Sequence, residues 1–457
     1  MAICSRRAFA VAFIAGQSPV DREHACLPDR GSGPTNACPI SDDAPPPPPA
    51  IPTMPELALP IFLLTYVVVA LGRLPGWRID RAGAALVGAA AMIACGALDF
   101  DEALAALDAD TLVLLFGMMI VVASLRLSGF FRVVEAAAVR RARHPLVLLV
   151  AIVGVSAGLS AFLVNDTICL VLTVPVLELV LRLGRPPLPY LLAVAMAANI
   201  GSVATLTGNP QNMIVGSLSG IAYGDFAAAL WPVAAVGCGL LILVLVLAFP
   251  REFLRGGPLA PLRVTPVRCN RPLALKSVAV LLGLIGAFFA GVRPAEAALL
   301  GGAYLLLTRR VKPQKIHREI DWSLLVMFAG LFVVVAGLER TVLTADRIAA
   351  VGSFGLQQPV VLATLTAALS NLVSNVPAVL VLKPFVEALA DRERAWLIVA
   401  MASTLAGNLT LLGSVANLIV AQRARSLGVE LGFGAYLRIG VPVTALTIVA
   451  GTLLLMH

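Results

Sequence analysis

Long apolar runs separated by short charged loops make up the chain from residue 54 onward. Many of these runs reach the roughly 18–20 residues that an α-helix needs to cross a bilayer. Alternating apolar and polar residues, typical of a membrane β-barrel, are not found. The pattern predicts an all-α polytopic membrane protein with apolar segments at 55–72, 83–98, 110–125, 145–181, 189–218, 226–249, 277–292, 295–308, 321–338, 358–388, 395–421 and 437–456.

Two of these segments, 145–181 and 358–388, are too long for one span and carry polar residues near the middle. The first contains "SAFLVNDTICLVLTVP" and the second contains "LSNLVSNVPAVLVLKP". Polar backbone at membrane depth is tolerated only where protein or a water-filled cavity surrounds it. We therefore expect two re-entrant hairpins, each of which enters the membrane and returns on the same side.

The charges of the loops support this topology. If both hairpins are re-entrant, the cytoplasmic loops hold 24 Lys and Arg residues and the outer loops hold 5. A hairpin counted as a simple span would move every later loop to the other side and remove the asymmetry. Because positive loops stay in the cytoplasm, the first hairpin is expected to open to the cytoplasm and the second to the outside.

The two halves of the chain also resemble each other. "AALVGAA" at 84–90 lies 213 residues before "AALLGGA" at 297–303, and the same offset pairs Gly117 with Gly330. The offset falls to 210 between Asn165 and Asn375 and to 205 between Asn212 and Asn417, as two small indels would produce. Each half would contain five spans and one hairpin, and an odd number of spans forces opposite orientations. The sequence thus predicts two inverted repeats, a construction common among secondary transporters.

The predicted domain organisation follows from this repeat. Residues 54–249 form the first inverted repeat, 250–276 a cytoplasmic linker and 277–457 the second repeat. Residues 1–53 contain "DDAPPPPPAIP" and no periodic apolar pattern, so they are predicted to be disordered. The first span begins at Met54, which makes this methionine an alternative start of translation.

The segments "ANIGSVATLTGNPQNMIV" and "LAGNLTLLGSVANLIV" are uncharged but interrupted by Asn, Gly, Thr and Ser. Gly and Pro unwind a helix locally. The N–H groups at the start of a half-helix suit an anion, and unwound carbonyls suit a sodium ion. We expect both breaks and both hairpin tips to converge at the midplane around a substrate pocket, with substrate- or ion-binding candidates Asn165, Asp166, Thr167, Asn199, Thr207, Gly208, Asn209, Asn212, Ser374, Asn375, Asn408, Thr410, Gly413, Ser414 and Asn417. For each single residue, the alternative is a bond between packed helices.

Asp166 and Lys383 are two of the four charged residues within the predicted hairpins. Asp166 is the only charge between His144 and Glu178. Because an intramembrane carboxylate is costly, we interpret it as a sodium ligand or as the carrier of a transported proton, with a helix cap as the alternative. Lys383 could attract an anion from outside, but pairing with Glu387 is the favoured interpretation.

Other function classes receive little support. The net charge of +8 comes from scattered loops and not from one basic face, so no nucleic-acid partner is expected. "GVSAG" at 154–158 fits a nucleophile motif, but it lies in an apolar helical run and not in a strand–turn–helix. An intramembrane hydrolase is therefore a remote alternative, and the chain is expected to be no enzyme. We expect no cofactor besides a coupling ion, sodium or a proton.

The segments "FLVNDTICLVLTVP", "ANIGSVATLTGNPQN", "SNLVSNVPAVLVLKP" and "AGNLTLLGSVANLIV" resemble the ion transporter superfamily over 54–457. This group includes divalent anion–sodium symporters, citrate transporters, arsenical pump permeases and a sodium/proton antiporter branch. The greatest similarity is to an uncharacterised anion-permease branch of bacterial inner membranes. The resemblance implies a homodimer in the cytoplasmic membrane, with a scaffold part and a transport part that moves like an elevator. It implies transport of a small inorganic or carboxylate anion coupled to sodium or protons, with arsenite-type efflux or sodium/proton antiport as alternatives.

In the symporter branch, each hairpin tip carries Ser-Asn-Thr, which binds sodium and the substrate carboxylate. Asn165 and Asn375 match the family Asn, so the resemblance implies a sodium site at Asn165, Asp166 and Asn375. This sequence departs from the pattern at Val164, which replaces the first Ser, at the inserted Asp166 and at Val376, which replaces the second Thr. These departures argue against dicarboxylate recognition of that branch's type and keep the other substrates open.

Overall fold

The protein is described here from a computed structural model that covers residues 54–72, 78–134, 144–259, 269–307, 311–344, 346 and 355–456. These residues form helices and connecting turns, with no β-strand among them. The all-α prediction is confirmed. The predicted disordered segment 1–53 lies outside the described residues.

The first half begins with a 3-10 turn at Pro55–Leu57. It continues with α1 Ala58–Leu71, α2 Arg81–Ala94, α3 Phe100–Ala105, α4 Ala109–Ser128, α5 Pro145–Phe162, α6 Asn165–Arg182, α7 Leu188–Ser202, α8 Pro210–Ser219 and α9 Tyr223–Ala248. A short helix, α10 Pro250–Phe253, follows.

The second half repeats this order. It contains α11 Arg271–Phe289, α12 Pro294–Leu306, α13 Pro313–His317, α14 Trp322–Thr341, α15 Pro359–Val373, α16 Asn375–Glu387, α17 Arg392–Ala406, α18 Val415–Arg425 and α19 Phe433–Met456. Each helix from α1 to α9 therefore has a counterpart numbered ten higher. The predicted repeat is confirmed, helix by helix.

Equivalent positions in the two repeats make equivalent contacts. The side chain of Asp108 caps α4 by accepting from the Thr111 N–H at 3.2 Å, and Asp321 caps α14 by accepting from the Leu324 N–H at 3.0 Å. Asp at a helix N-cap satisfies one of the free N–H groups of the first turn. The caps explain why both helices begin where they do, at positions separated by the offset seen in the sequence.

Two glycines allow the repeats to pack closely against each other. A Cβ added to Gly117 in α4 would lie 2.5 Å from the carbonyl carbon of Ala298 in α12. A Cβ added to Gly330 in α14 would lie 2.6 Å from the carbonyl carbon of Ala85 in α2. Small residues let membrane helices approach each other closely. The two contacts join equivalent positions of the two repeats, so the helix pairs α4–α12 and α14–α2 form a symmetric core.

Both long segments form helical hairpins, as predicted. Leu163 and Val164 join α5 to α6, and both residues are buried, so the tip of this hairpin lies inside the protein. Ser374 joins α15 to α16 with φ 79° and ψ 161°. This conformation is nearly restricted to glycine and strains a residue that carries a Cβ. The second hairpin therefore turns within one strained residue.

Six helices among the described residues are long and apolar enough to cross a membrane, namely α4, α5, α9, α11, α14 and α19. Shorter apolar helices are α1, α2, α7 and α15. One boundary differs from the sequence prediction. Helix α11 begins at Arg271, within the predicted linker 250–276, because Asn270 caps it and Pro272 suits its first turn. The domain boundaries otherwise stay predictions.

Candidate functional site

Both predicted broken spans are interrupted helices. In the first repeat α7 stops at Ser202 and α8 starts at Pro210, and in the second α17 stops at Ala406 and α18 starts at Val415. The side chain of Asn209 caps α8. Gly208 is required in this break because an added Cβ would lie 2.2 Å from the carbonyl oxygen of Ser202.

An equivalent asparagine closes each break. The Nδ2 of Asn212 donates to the carbonyl oxygens of Ser202 and Thr205, at 3.0 and 2.9 Å. The Nδ2 of Asn417 donates to the carbonyl oxygens of Gly407 and Thr410, at 2.7 and 3.1 Å. Carbonyls freed by a broken helix must find partners inside a membrane protein. Asn212 and Asn417 supply those partners, and they also face the other repeat.

Asn199 of α7 connects the first hairpin to the second repeat. Its Oδ1 accepts from the Nδ2 of Asn165 at 2.9 Å and from the hydroxyl of Ser414 at 3.3 Å. Its Nδ2 donates to the Oδ1 atoms of Asn408 at 2.9 Å and Asn417 at 3.1 Å. These five buried residues form what we call the Asn199 cluster. The structure thus brings together five of the predicted site residues.

Thr404 of α17 occupies the position equivalent to Asn199 and makes the reciprocal contacts. Its hydroxyl accepts from the Nδ2 of Asn209 at 3.3 Å and from the Nε2 of Gln211 at 3.1 Å, and it donates to the Oδ1 of Asn212 at 3.5 Å. The Nδ2 of Asn209 also donates to the hydroxyl of Ser202 at 3.0 Å. We call these five residues the Thr404 cluster. Ser202, Gln211 and Thr404 were missing from the sequence candidates, although the offset of 205 from Asn199 would have indicated Thr404.

The second hairpin makes different contacts. The Oδ1 of Asn375 accepts from the hydroxyl of Ser370 at 2.6 Å, within the same hairpin. No hydrogen bond among the described residues joins Asn375 to Asn165. A sodium site shared by Asn165, Asp166 and Asn375 therefore stays a prediction from the resemblance.

Asp166 lies half-buried in the first turn of α6. The electrostatic environment of its carboxylate includes the backbone N–H of Ala416, in the first turn of α18 of the other repeat. Its electrostatic neighbours are Asp321 and Arg81, at the starts of α14 and α2. A carboxylate is favourable at the N-terminal end of a helix because of the partial positive charge there. Asp166 thus links the first hairpin to the second broken span.

Three oxygen atoms lie close to Gly413 in the second break. The position of an added Cβ lies 2.9 Å from the Oδ1 of Asn371, 3.1 Å from the carbonyl oxygen of Gly407 and 3.2 Å from that of Thr410. The Oδ1 atoms of Asn371 and Asn165 are buried and accept no hydrogen bond within the described part of the chain. Carbonyl and amide oxygens of this kind suit a monovalent cation.

Several other candidates from the sequence lie outside the Asn199 and Thr404 clusters. The Thr207 hydroxyl hydrogen-bonds to the Tyr223 hydroxyl at 2.9 Å, in the first break. Thr167 lies half-buried one residue after Asp166. The preferred pairing of Lys383 was wrong, because its Nζ lies 3.1 Å from the Oε2 of Glu339 in α14. Tertiary packing brings a carboxylate of another helix closer to this amine than Glu387.

Known proteins share this sequence and fold. The sequence profile of the citrate transporter family (CitMHS) matches residues 66–406. The silicon efflux transporter LSI3 of Oryza sativa subsp. japonica is 31% identical over 470 residues, which cover 87% of this chain and 96% of LSI3. The putative transporter arsB of Dictyostelium discoideum is 26% identical over 507 residues, covering 86% of this chain and 89% of that protein.

Among solved structures, the YdaH transporter of Alcanivorax borkumensis is similar, with a TM-score of 0.55 over 89% of this chain and 98% of that chain. Its sequence identity of 18% supports a shared fold alone. The family match covers more than half of the chain and includes the hairpins and the first break. The chain therefore belongs to the citrate transporter (CitMHS) family of the ion transporter superfamily, and it is a multi-pass membrane transporter and not an enzyme.

Proposed function

We propose that this transporter is a secondary active permease that moves a small inorganic or carboxylate anion across the cytoplasmic membrane, coupled to sodium or protons. The observation that carries the proposal is the reciprocal joining of the two broken spans through Asn199 and Thr404. Broken helices in equivalent positions of inverted repeats are the feature that forms substrate sites in secondary transporters.

The chemistry of the breaks supports both kinds of ligand. Helices α8 and α18 begin inside the protein, so the N–H groups of their first turns can stabilise an anion. The oxygens around Gly413 and the unpaired Oδ1 of Asn165 can ligate a sodium ion, and Asp166 can ligate sodium or carry a proton. Anion and cation would then bind side by side, which couples their transport.

An elevator movement is consistent with where the strong contacts lie. The Asn199 and Thr404 clusters tie α6, α7 and α8 to α17 and α18, so these helices form one body. Helices α2, α4, α12 and α14 pack through the glycine contacts into a second body. The Ser217 hydroxyl of the first body donates to the Asp108 carboxylate at the start of α4 at 2.9 Å. Lys383 of the second hairpin pairs with Glu339 of α14, in the second body. We expect the first body to move and the second to form the interface of a homodimer.

Flux measurements on purified protein in proteoliposomes test the proposal. Radiolabelled sulfate, citrate, succinate and arsenite are supplied under an imposed sodium gradient, an imposed proton gradient or neither. We expect gradient-dependent movement of one of the anions, and its loss in Asn199→Ala. The matched control is Ser160→Ala, which removes one buried hydrogen bond to the Ala198 carbonyl oxygen outside both clusters. An anion-independent sodium/proton exchange that disappears in Asp166→Asn would instead establish the antiporter alternative.

A second candidate is efflux of a small hydroxyl-rich oxyacid of the arsenite type. The name of LSI3 describes silicon efflux, and the superfamily that this chain resembles includes the arsenical pump permeases. The Asn199 and Thr404 clusters consist of amides and hydroxyls, which can donate to and accept from an uncharged hydroxylated solute. Outward movement of arsenite or silicic acid, without movement of sulfate or carboxylates in the same vesicles, would favour this candidate.

A further inference from the structure

A cavity of about 910 Å³ lies away from the two clusters, and none of the candidate site residues lines it. It is bounded by the end of α4 and the turn after it, the start of α11, the middle of α6 and the end of α18. The charge asymmetry of the loops places this end of the protein in the cytoplasm. The cavity therefore lies where the membrane-embedded helices meet the cytoplasmic loops.

Among the described residues that line this cavity, the charged ones are all arginines and none is a carboxylate. Arg126, Arg132 and Arg423 line it. Arg126 forms an ion pair with Glu319, whereas Arg132 and Arg423 form no ion pair within the described part of the chain. Both are exposed side chains. A planar guanidinium matches the geometry of a phosphate group and can bind it through two parallel hydrogen bonds.

Another part of the wall is apolar. Phe131 and, on α6, Leu170, Val171, Val174 and Pro175 line it. A small inorganic anion has no apolar atoms to bury against this surface, whereas the glycerol and acyl carbons of a lipid would bury apolar area against it. Basic pockets between transmembrane helices on the cytoplasmic side bind anionic lipid headgroups. We propose that this cavity binds the phosphate-bearing headgroup of an anionic phospholipid of the inner leaflet.

The bound lipid would touch both bodies of the transporter. Arg126 lies in the last turn of α4, a helix of the glycine-packed body, and Arg132 lies four residues after the end of α4. Arg423 belongs to α18 of the other body. A headgroup held by both sets bridges them. The binding itself does not depend on the substrate or on the coupling ion, so its failure and the failure of the transport proposal are separate results.

Lipid binding to purified transporter tests this inference. Native mass spectrometry measures retention of phosphatidylglycerol against phosphatidylcholine in the wild type, in Arg132→Gln/Arg423→Gln and in a control, Arg182→Gln/Arg425→Gln. The control removes the same charge from α6 and α18 at exposed arginines that do not line the cavity. We expect the cavity variant to lose the preference for phosphatidylglycerol by about tenfold or more, which corresponds to about 1.4 kcal/mol. The control should change it by less than about twofold, the small effect expected of exposed charges.

A second arm separates the two sources of phosphate. In nanodiscs of phosphatidylcholine alone, millimolar inorganic phosphate should leave the thermal unfolding midpoint unchanged, whereas added phosphatidylglycerol should raise it. Each single arginine variant is measured too, so that the result stands if the double variant does not fold. Equal loss of lipid preference in the cavity variant and the control would overturn the proposal, as would a phosphate effect as large as that of phosphatidylglycerol.

Discussion

Replacement of Asn199 by Ala should weaken the junction of the two repeats. The change removes four hydrogen bonds, to Asn165, Ser414, Asn408 and Asn417, at 2.9 to 3.3 Å. Side-chain hydrogen bonds in membrane proteins contribute about 0.6 kcal/mol each on average, and those in soluble proteins about 1 kcal/mol. The four bonds together therefore predict a loss of about 2–4 kcal/mol in the free energy of unfolding.

Equilibrium unfolding of the purified protein in lipid nanodiscs measures this loss. Ser160→Ala serves as the control, because it is buried at a similar place but removes only the bond from its hydroxyl to the Ala198 carbonyl oxygen at 2.7 Å. The control should cost about 0.5–1 kcal/mol. In a double-mutant cycle, Asn199→Ala and Asn165→Ala should show a coupling energy of about 0.6–1.7 kcal/mol, the range known for such pairs.

Two results would refute this reasoning. The first is an Asn199→Ala variant no less stable than Ser160→Ala, since the four bonds would then not hold the broken spans together. The second is a coupling energy of zero between Asn199 and Asn165, which would mean that the first hairpin tip does not depend on the break. Either result would also remove the main support for the proposed transport site.

Three further changes test other contacts. Gly117→Ala forces a methyl group against the backbone of α12, so the free energy of unfolding should fall by about 1–3 kcal/mol. The control Gly283→Ala, with nothing within 4 Å of its added Cβ, should not lower the free energy of unfolding. Equal shifts of the melting temperature in the two variants would contradict the close packing at Gly117. Lys383→Met leaves the half-buried Glu339 without its partner and should lower the free energy of unfolding by about 1–3 kcal/mol. The double variant with Glu339→Gln, measured by denaturation, should regain most of this stability, whereas additive losses would show that the two residues are not coupled. Ser374→Gly relieves a strained backbone conformation, so it should increase the free energy of unfolding by about 1 kcal/mol and raise the melting temperature. A lower melting temperature would show that the serine side chain contributes more than its strain costs.

Much of the architecture could be predicted because its signals lie in the linear order of residues. Long apolar segments with central polar residues indicated the hairpins at Leu163–Val164 and Ser374, and both are present. The offset between the halves predicted Asn212 and Asn417 as equivalents, and they make the same backbone contacts. Each of these signals depends on local composition or on a repeat, which the sequence displays directly.

The contacts that sequence reasoning missed connect residues that no local pattern relates. Thr404 was overlooked because a threonine in an apolar helix usually bonds to its own helix or a neighbour. Lys383 was assigned to Glu387, four residues away, but it pairs with Glu339, which is 44 residues distant in the chain. Which acid lies closest depends on how α14 packs against α16 and not on spacing along the helix.

Hydropathy and loop charge were sufficient for the class of protein and the number of hairpins, because the bilayer requires each span to satisfy its own backbone and to stay apolar. The matched residues of the two halves were needed as well for the inverted repeat. They could not show that Asn199 and Thr404 exchange partners across the repeats. That exchange arises where α7 and α17 pack together, which brings Asn199 and Thr404 within hydrogen-bonding distance of the other repeat's break. Hydrogen bonding acts over about 3 Å, and positions of this accuracy exist only after the helices have packed.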